Sequence, residues 1–308
     1  NIINVLKNKV KKIVVHNGTF HADDVLCVAM VQLAFPKVAI MRIEKNQLRE
    51  IDLNEIIVAD IGFGKYDHHQ VNAKIRPNGH KYAACGLLLE DLQYLLFKKC
   101  IPSELLRTIL EVEDYDNKYP NATENFLCTF VRLNNPEWNE KNDAYYIDQA
   151  FYSTVDAVRE KFLKPYLSMD ALPTESILYF EQHIRTLLKK HQEAEKQARE
   201  QVMRAYQKSD GITVVLQRRM PWCAFLIPTT AVFVVNPSNR GGFHLQCIPT
   251  TYGGNTFKTL LPKKWLEDPP RGCRFVHNNL FLAAFSTEKY ALEAVSQLEN
   301  EKLNRAKT

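Results

Sequence analysis

The first half of the chain alternates short apolar runs with longer helical patterns, and that order of elements threads a mostly parallel sheet. Lys12-Ile13-Val14-Val15 reads as a buried strand, Asp23 to Phe35 as a helix stopped by Pro36, Val38 to Ile43 as a second strand and Ile56 to Ala59 as a third. Helices are predicted over Ala83 to Lys99 and over Pro102 to Asp116, the latter with Ser103 and Glu104 as its start signal. Polar residues around Asn134, Pro136 and Asn139 predict a loop, followed by a helix from Ala144 to Leu163. Residues 174–208 hold no Gly or Pro and set Glu181 before Arg185 and Glu195 before Arg199 at i,i+4, the pattern of one long solvated helix. Its apolar positions thin out after Leu188, which argues against a sustained coiled-coil seam.

Beyond Gly211 the strands are shorter: Thr213 to Leu216, Ala231 to Val235 and Phe243 to Ile248, with turn chemistry at Asn236-Pro237-Ser238-Asn239 and Gly241-Gly242. A closing helix is predicted from Thr287 to Arg305. The expected fold class is α/β, a mostly parallel sheet with helices on both faces, plus a smaller C-terminal α+β domain. The expected division is residues 1–165, a long connecting helix over 166–210, and residues 211–308, with a ligand cleft expected between the first and last parts.

With 308 residues, 45% hydrophobic, 24% charged and only 11 Gly and 14 Pro, the chain has a folded composition that excludes disorder and collagen-like structure. Its net charge of +5 permits a polyanionic partner without requiring one. The seven cysteines form no C-x-x-C pair and sit mostly in apolar runs, so they read as reduced thiols of a cytoplasmic protein. No apolar run approaches the roughly 18 residues of a membrane span, so a soluble chain with no membrane partner is expected. The chain opens on Asn1 rather than Met, which leaves room for missing or trimmed residues and an organellar targeting segment before it.

The chemistry gathers at strand ends. After the first strand comes His16-Asn17-Gly18-Thr19-Phe20-His21-Ala22-Asp23-Asp24, and ligands of open α/β sheets sit at such carboxyl ends. Two imidazoles and two carboxylates in nine residues suit a divalent metal, while helix capping by Asp23 or Asp24 is the structural alternative. The third strand runs into Asp60, and Tyr66-Asp67-His68-His69-Gln70 follows. Neighbouring histidines on a strand point to opposite faces, so one ligand and one substrate contact is the expected split. His80, His183, His191, His244 and His277 are scattered and read as surface or core residues. The acidic knot Glu111-Val112-Glu113-Asp114-Tyr115-Asp116-Asn117 ends a helix where the macrodipole disfavours negative charge, which calls for a compensating cation.

In this order, His-x4-His-x-Asp, strand-end Asp, Asp-His-His and acidic knot, the chain resembles the DHH phosphoesterase superfamily, and within it the Myg-type branch of metal-dependent hydrolases and 3′ to 5′ RNA exonucleases. Arg132-Leu133-Asn134-Asn135-Pro136-Glu137-Trp138-Asn139, Pro221-Trp222, Leu245-Gln246-Cys247-Ile248-Pro249 and Gly272-Cys273-Arg274-Phe275-Val276-His277 resemble that branch as well. The resemblance implies a catalytic domain over 1–165, a substrate-binding domain over 211–308, and two divalent ions, Mn²⁺ foremost with Mg²⁺ as the alternative. It further implies that His16, His21 and Asp60 hold one ion, and Asp23, Asp60, His68 and an acid of the knot, Asp116 in the family's place, the other. Asp67 would orient His68, and His69 would face the phosphate. Where the family carries Asp-x-x-Asp-Asn-Gly this chain reads Glu113-Asp114-Tyr115-Asp116-Asn117-Lys118, which leaves the ligand open among Glu113, Asp114 and Asp116. The family's C-terminal glycine pair stands here as Ala283-Ala284.

The function expected from these residues is metal-dependent phosphodiester hydrolysis of RNA or short oligonucleotides, by a water that two metals activate. No G-x-S-x-G elbow or reactive-cysteine context competes with it. Lys263-Lys264, Arg271 and Arg274 are candidate substrate contacts by position. Three other readings stay open. The chain could be a catalytically weakened metal- or RNA-binding homologue, a hydrolase of a small phosphate ester or pyrophosphate, or a structural protein that self-associates through its long helix. Oligomeric state is open, with a homodimer among the options.

Overall fold

The computed structural model describes residues 10–305 apart from Lys99 and Arg240, so the expected helix end at Lys99 lies outside the described residues. The chain divides after His191 into two compact units.

In the first unit β1 (Lys12–His16) is the central strand, paired in parallel with β2 (Ala39–Ile43) and β3 (Ile56–Val58). Strand side chains alternate between faces, so Ile13 and Val15 enter one core while Val14 joins Ile43 and Ile61 on the other side. α1 (Ala22–Ala34) packs in the first core with α2 (Ala84–Leu96), α3 (Ser103–Asp116), α4 (Phe126–Asn134) and α5 (Ala144–Ala157). The opposite face is covered by a 3₁₀ helix, Lys45–Glu50, through Leu48. α1 is enclosed on nearly every side, because it is apolar all round from Val25 to Val31. Each such side chain contributes roughly 1.5–3 kcal/mol by leaving water.

Three local readings differ from expectation. Helix α4 occupies the stretch just before the predicted loop. Its N-cap Asn125 accepts a hydrogen bond from Cys128 N at 3.0 Å, and Leu127, Phe130, Val131 and Leu133 bury one face. The polar Asn134-Asn135-Pro136 tail masked that apolar stripe. α5 continues through a π-turn, Val158–Leu163, and a 3₁₀ turn, Lys164–Leu167. The long helix α6 (Thr174–Lys208) keeps its predicted bounds but is not simply solvated. Phe180, 2% exposed, meets Phe130 edge-on at 4.9 Å. Neither expected i,i+4 ion pair is found among the described residues. The helix instead pairs Lys190 with Glu140 at 2.8 Å and His191 with Glu137 at 2.7 Å.

The second unit is a five-stranded mixed sheet in the order β4-β5-β6-β8-β7. β4 (Thr213–Val215) runs parallel to β5 (Phe233–Pro237). β6 (Phe243–Cys247), β8 (Leu282–Phe285) and β7 (Cys273–Val276) complete it in antiparallel pairs. A short helix, α7 (Cys223–Leu226), follows β4, and α8 (Glu288–Arg305) packs Ala291, Ala294 and Val295 against Phe233, Leu245 and Phe285. β7 and β8 are not among the expected strands: Cys273-Arg274-Phe275-Val276 and Leu282-Ala283-Ala284-Phe285 carry no apolar run as strongly β-branched as those of β3 and β4. The Ala283-Ala284 pair lies inside β8, opposite Leu245 and His244, where an extended backbone accepts alanine without strain. Gly242 is different: at φ +76° any Cβ would meet Phe285 O at 2.1 Å.

Phe180→Ala should cost the first unit roughly 3–5 kcal/mol, because a large buried aromatic leaves a cavity that the surrounding rings cannot fill. Leu178→Ala, at a position 47% exposed, should cost under about 0.5 kcal/mol. Urea denaturation of the two variants measures the contrast, and equal midpoints would mean that α6 is not anchored through Phe180.

Candidate metal centre

The site is built on a loop that is pinned from two sides. His16 ends β1, and the chain turns through Gly18 into α1. Arg42 of β2, its side chain fully buried, donates to Gly18 O at 2.7 Å, pairs with Asp148 of α5 and lies 4.2 Å from the centre of the Phe151 ring. Asn135, just after α4, accepts from Phe20 N at 3.0 Å and donates to Phe20 O at 2.9 Å. Arg42 and Asn135 thus hold the His16–His21 turn rigid, and neither was singled out as a site residue from the sequence.

Two adjacent aspartates open α1 and face different neighbours. Asp24 accepts from His21 N at 2.7 Å through Oδ1, closing the N-cap of α1. Its Oδ2 is buried without a hydrogen-bond partner, 3.4 Å from His16 Nε2. The capping and metal-site readings of this segment therefore coexist in one carboxylate. Asp23 reaches across to α2, where its oxygens accept from Ala84 N at 3.0 Å and Cys85 N at 2.6 Å. That carboxylate satisfies two free N–H groups of a helix start and meets its positive dipole end.

Asp60 follows β3 in a left-handed conformation, φ +57°, which costs roughly 1–2 kcal/mol for a non-glycine residue. The twist aims its two oxygens at different imidazoles. Oδ2 is 3.4 Å from His16 Nε2, and Oδ1 is 3.5 Å from His69 Nδ1 and 3.9 Å from His68 Nε2. Asp60 Oδ1 and His68 Nδ1 are buried with no hydrogen-bond partner.

His68 Nε2 lies 3.2 Å from Asp116 Oδ2, at the end of α3. The other acids of the knot turn away. Glu113 accepts from Ala83 N at 2.9 Å and Arg76 Nη1 at 3.1 Å, and Asp114 pairs with Arg76 and with His80 at 2.9 Å. Asp116 is the acid of the knot that faces the site. Lys118 keeps a left-handed φ of 56° at the position where the resembled pattern has glycine. One expected pairing is corrected: Asp67 accepts from His69 Nδ1 at 2.8 Å and from His69 N at 3.0 Å, so it orients His69 and not His68. A short Asp side chain reaches the backbone two residues on more readily than the ring between them.

Three sets of ligand atoms each lie within 4.8 Å of one another: His16, His21 and Asp24; Asp60, His68 and His69; and Asp23, His68 and Asp116. Each expected ligand falls in one of these sets, but the groupings differ from expectation: Asp24, not Asp60, accompanies His16 and His21, and Asp60 groups with His68 and His69. Burial and the charges of Asp60 and Asp116 hold the Asp23 carboxyl well above its usual range. Burial lifts Asp24 to about 6 against the pull of His16, and burial with the charge of Asp60 raises Asp116. Burial opposes charge on His16, but its bond to Asp60 and the charge of Asp24 raise it to about 9. His68 is pushed down by burial, and His69 is raised by its bond to Asp67. Burial favours a neutral Asp67, yet hydrogen bonds from His69 and Phe63 hold it at about 2. Four carboxylates share a small volume with three partnerless buried atoms, and a divalent cation satisfies both conditions. The mixture of carboxylate and imidazole donors fits such an ion.

The cluster forms the floor of an open cavity of about 1370 Å³, whose rim carries Lys81, Lys118, Arg132, Tyr115 and Tyr119. His191 lines it too, so this one of the scattered histidines is nearer the site than expected. Of the basic residues proposed by position, Arg271 lies 5.3 Å from the centre of the Tyr290 ring, Lys263 and Lys264 start a 3₁₀ turn and Arg274 is on β7. All seven cysteines are free. Among the described residues no helix is long and apolar enough to cross a membrane.

A family model, MYG1_exonuc, described as Uncharacterised protein family (UPF0160), matches residues 12–297. The MYG1 exonuclease of Mus musculus is 26% identical over 90% of this chain and 82% of its own length. That of Homo sapiens is 24% identical over the same shares, and the MYG1 protein of Dictyostelium discoideum is 22% identical over 90% of this chain and 93% of its own. Among solved structures, a pGpG-specific phosphodiesterase from Vibrio cholerae aligns with a TM-score of 0.50 at 12% identity, covering 96% of this chain and 98% of that one. At that identity the likeness concerns the fold.

Excess Mn²⁺ at roughly 100 times its Kd should stabilise the first unit by about 2.7 kcal/mol, a rise in melting temperature of several degrees that EDTA reverses. Asp60→Asn removes one of the crowded charges, so it should melt above wild type in EDTA and lose most of the Mn²⁺ response. Differential scanning fluorimetry checks both, and a full Mn²⁺ shift in Asp60→Asn would remove Asp60 from the ion site.

Proposed function

The chain belongs to the MYG1 exonuclease family, and from that membership and its clustered donors we propose that it is a divalent-metal-dependent phosphodiester hydrolase acting on RNA or short oligonucleotides as a 3′ to 5′ exonuclease of the DHH type. The observation that carries this reading is the convergence of Asp23, Asp60 and Asp116 with His16, His21 and His68 on an open cavity, with Asp24 buried beside His16.

His16, His21, Asp24 and Asp60 would hold one ion, and Asp23, Asp60, His68 and Asp116 a second. When bound, the ions would supply an activated water and neutralise charge on the attacked phosphate. Manganese suits the carboxylate–imidazole donor set. The chain's own contribution is positioning. Arg42 and Asn135 hold the His16–His21 turn, and Asp67 holds His69 by Nδ1, leaving Nε2 as the ring nitrogen that meets a phosphate oxygen or protonates the leaving 3′ oxygen. His69 suits that role because its side chain is 56% exposed and lines the cavity. A cavity of about 1370 Å³ exceeds the usual small-molecule pocket, which favours an oligonucleotide over pyrophosphate. The rim cations would meet the phosphate backbone. Seven free cysteines, four of them buried, support a reducing compartment such as the cytoplasm.

Incubation with Mn²⁺ and a 5′-labelled oligoribonucleotide should give a ladder of progressively shorter labelled products, and EDTA should abolish it. His68→Ala should lower turnover at least ~100-fold. Immediate release of labelled mononucleotide would reverse the direction of attack, and turnover that survives His68→Ala would defeat the assignment of the site.

A further inference from the structure

The second unit contains a cavity of about 570 Å³ that the proposed chemistry does not use, between the last turns of α6 and the segment from Thr213 to Met220. Arg204 and Lys208 of α6 line it from one side and Arg218 from the other, and no Asp or Glu does. Its wall includes Leu216 and Met220, 2% and 7% exposed. Thr213 also lines it. That side chain is more than nine-tenths buried, and its hydroxyl has no hydrogen-bond partner.

Arg204 and Lys208 stand one helical turn apart, a spacing at which like charges repel, and neither forms an ion pair among the described residues. Cations near a helix C-terminus complement its dipole, which accounts for Lys208. It does not account for Arg204, a turn further back, or for the partnerless Thr213 hydroxyl. The acids nearby are engaged: Asp210 accepts from Ile212 N and Thr213 N at 2.8 Å, and Glu288 from Gln217 at 3.5 Å. Guanidinium forks and an ammonium lining one concavity, beside a threonine hydroxyl left without a partner, are the donors that a phosphate ester recruits.

We propose that this cavity of the second unit binds a phosphate of a nucleotide chain. The identity of that chain rests on the hydrolase reading; the anion chemistry does not.

The full chain and its Arg204→Glu/Lys208→Glu variant are compared by fluorescence anisotropy with a fluorescein-labelled 20-mer oligouridylate in EDTA, where nothing is cleaved. The expected result is a Kd raised at least ~10-fold and a log–log salt slope reduced by ~1.4, the loss of two single-strand phosphate contacts. Arg204→Lys/Lys208→Arg should bind as wild type does. An unchanged Kd and salt slope overturns the proposal, as does equal competition by polyglutamate. Displacement of the 20-mer by submillimolar uridine monophosphate or inorganic phosphate would overturn the chain-backbone assignment in favour of a free phosphate. Should wild type cleave nothing while charge reversal still abolishes binding, the hydrolase reading fails and the cavity's assignment stands.

Discussion

Asp23 and Asp24 are buried carboxylates side by side, and the first unit is arranged around keeping them there. Each is held by backbone N–H groups of a helix start, Asp24 by the α1 turn and Asp23 by the first two residues of α2. Such caps are worth about 1 kcal/mol apiece, and the positive ends of two helix dipoles meet the negative charge. Neither effect removes the burial and the crowding with Asp60 and Asp116, which together raise the Asp23 carboxyl. A site with this much unrelieved negative charge binds a cation strongly for the same reason that it is costly without one.

The surrounding structure supports that arrangement without entering it. Glu113 is buried and pushed up to about 7 by that burial, yet it accepts from Ala83 N and pairs with Arg76, so it anchors the entry to α2 that Asp23 caps. Gly86, in the first turn of α2, leaves the room in which Glu113 sits; a Cβ there would come within 1.8 Å of Glu113 Oε1. Acids at the end of α3 oppose the helix dipole, and their compensation is divided. Arg76 answers Glu113 and Asp114, while His68 and the candidate ion site answer Asp116.

The two units carry complementary chemistry. The first supplies carboxylates and imidazoles on a rigid floor, suited to cations and to a phosphate at the point of reaction. The second supplies a basic concavity suited to phosphate alone.

Local pattern sufficed for much of this. The alternation of Ile13, Val14 and Val15, the apolar run of α1 and the Gly- and Pro-free stretch over 174–208 each encode an element within a few turns of chain, and the strand-end positions of His16, Asp60 and His68 follow from those elements. Folding in three dimensions decided what depends on partners far away in sequence. Asp23 caps a helix that begins 61 residues later, and Asn135 clamps Phe20 across 115 residues. Which acid of the knot turns inward depends on Arg76 and His80, which claim the other two. Helix α4 and strands β7 and β8 draw their stability from packing and pairing, so short segments with modest patterns of their own became regular only in that context. A carboxylate's neighbours in the chain show that it is available; its neighbours in space determine whether it caps a helix, pairs with arginine or faces an ion.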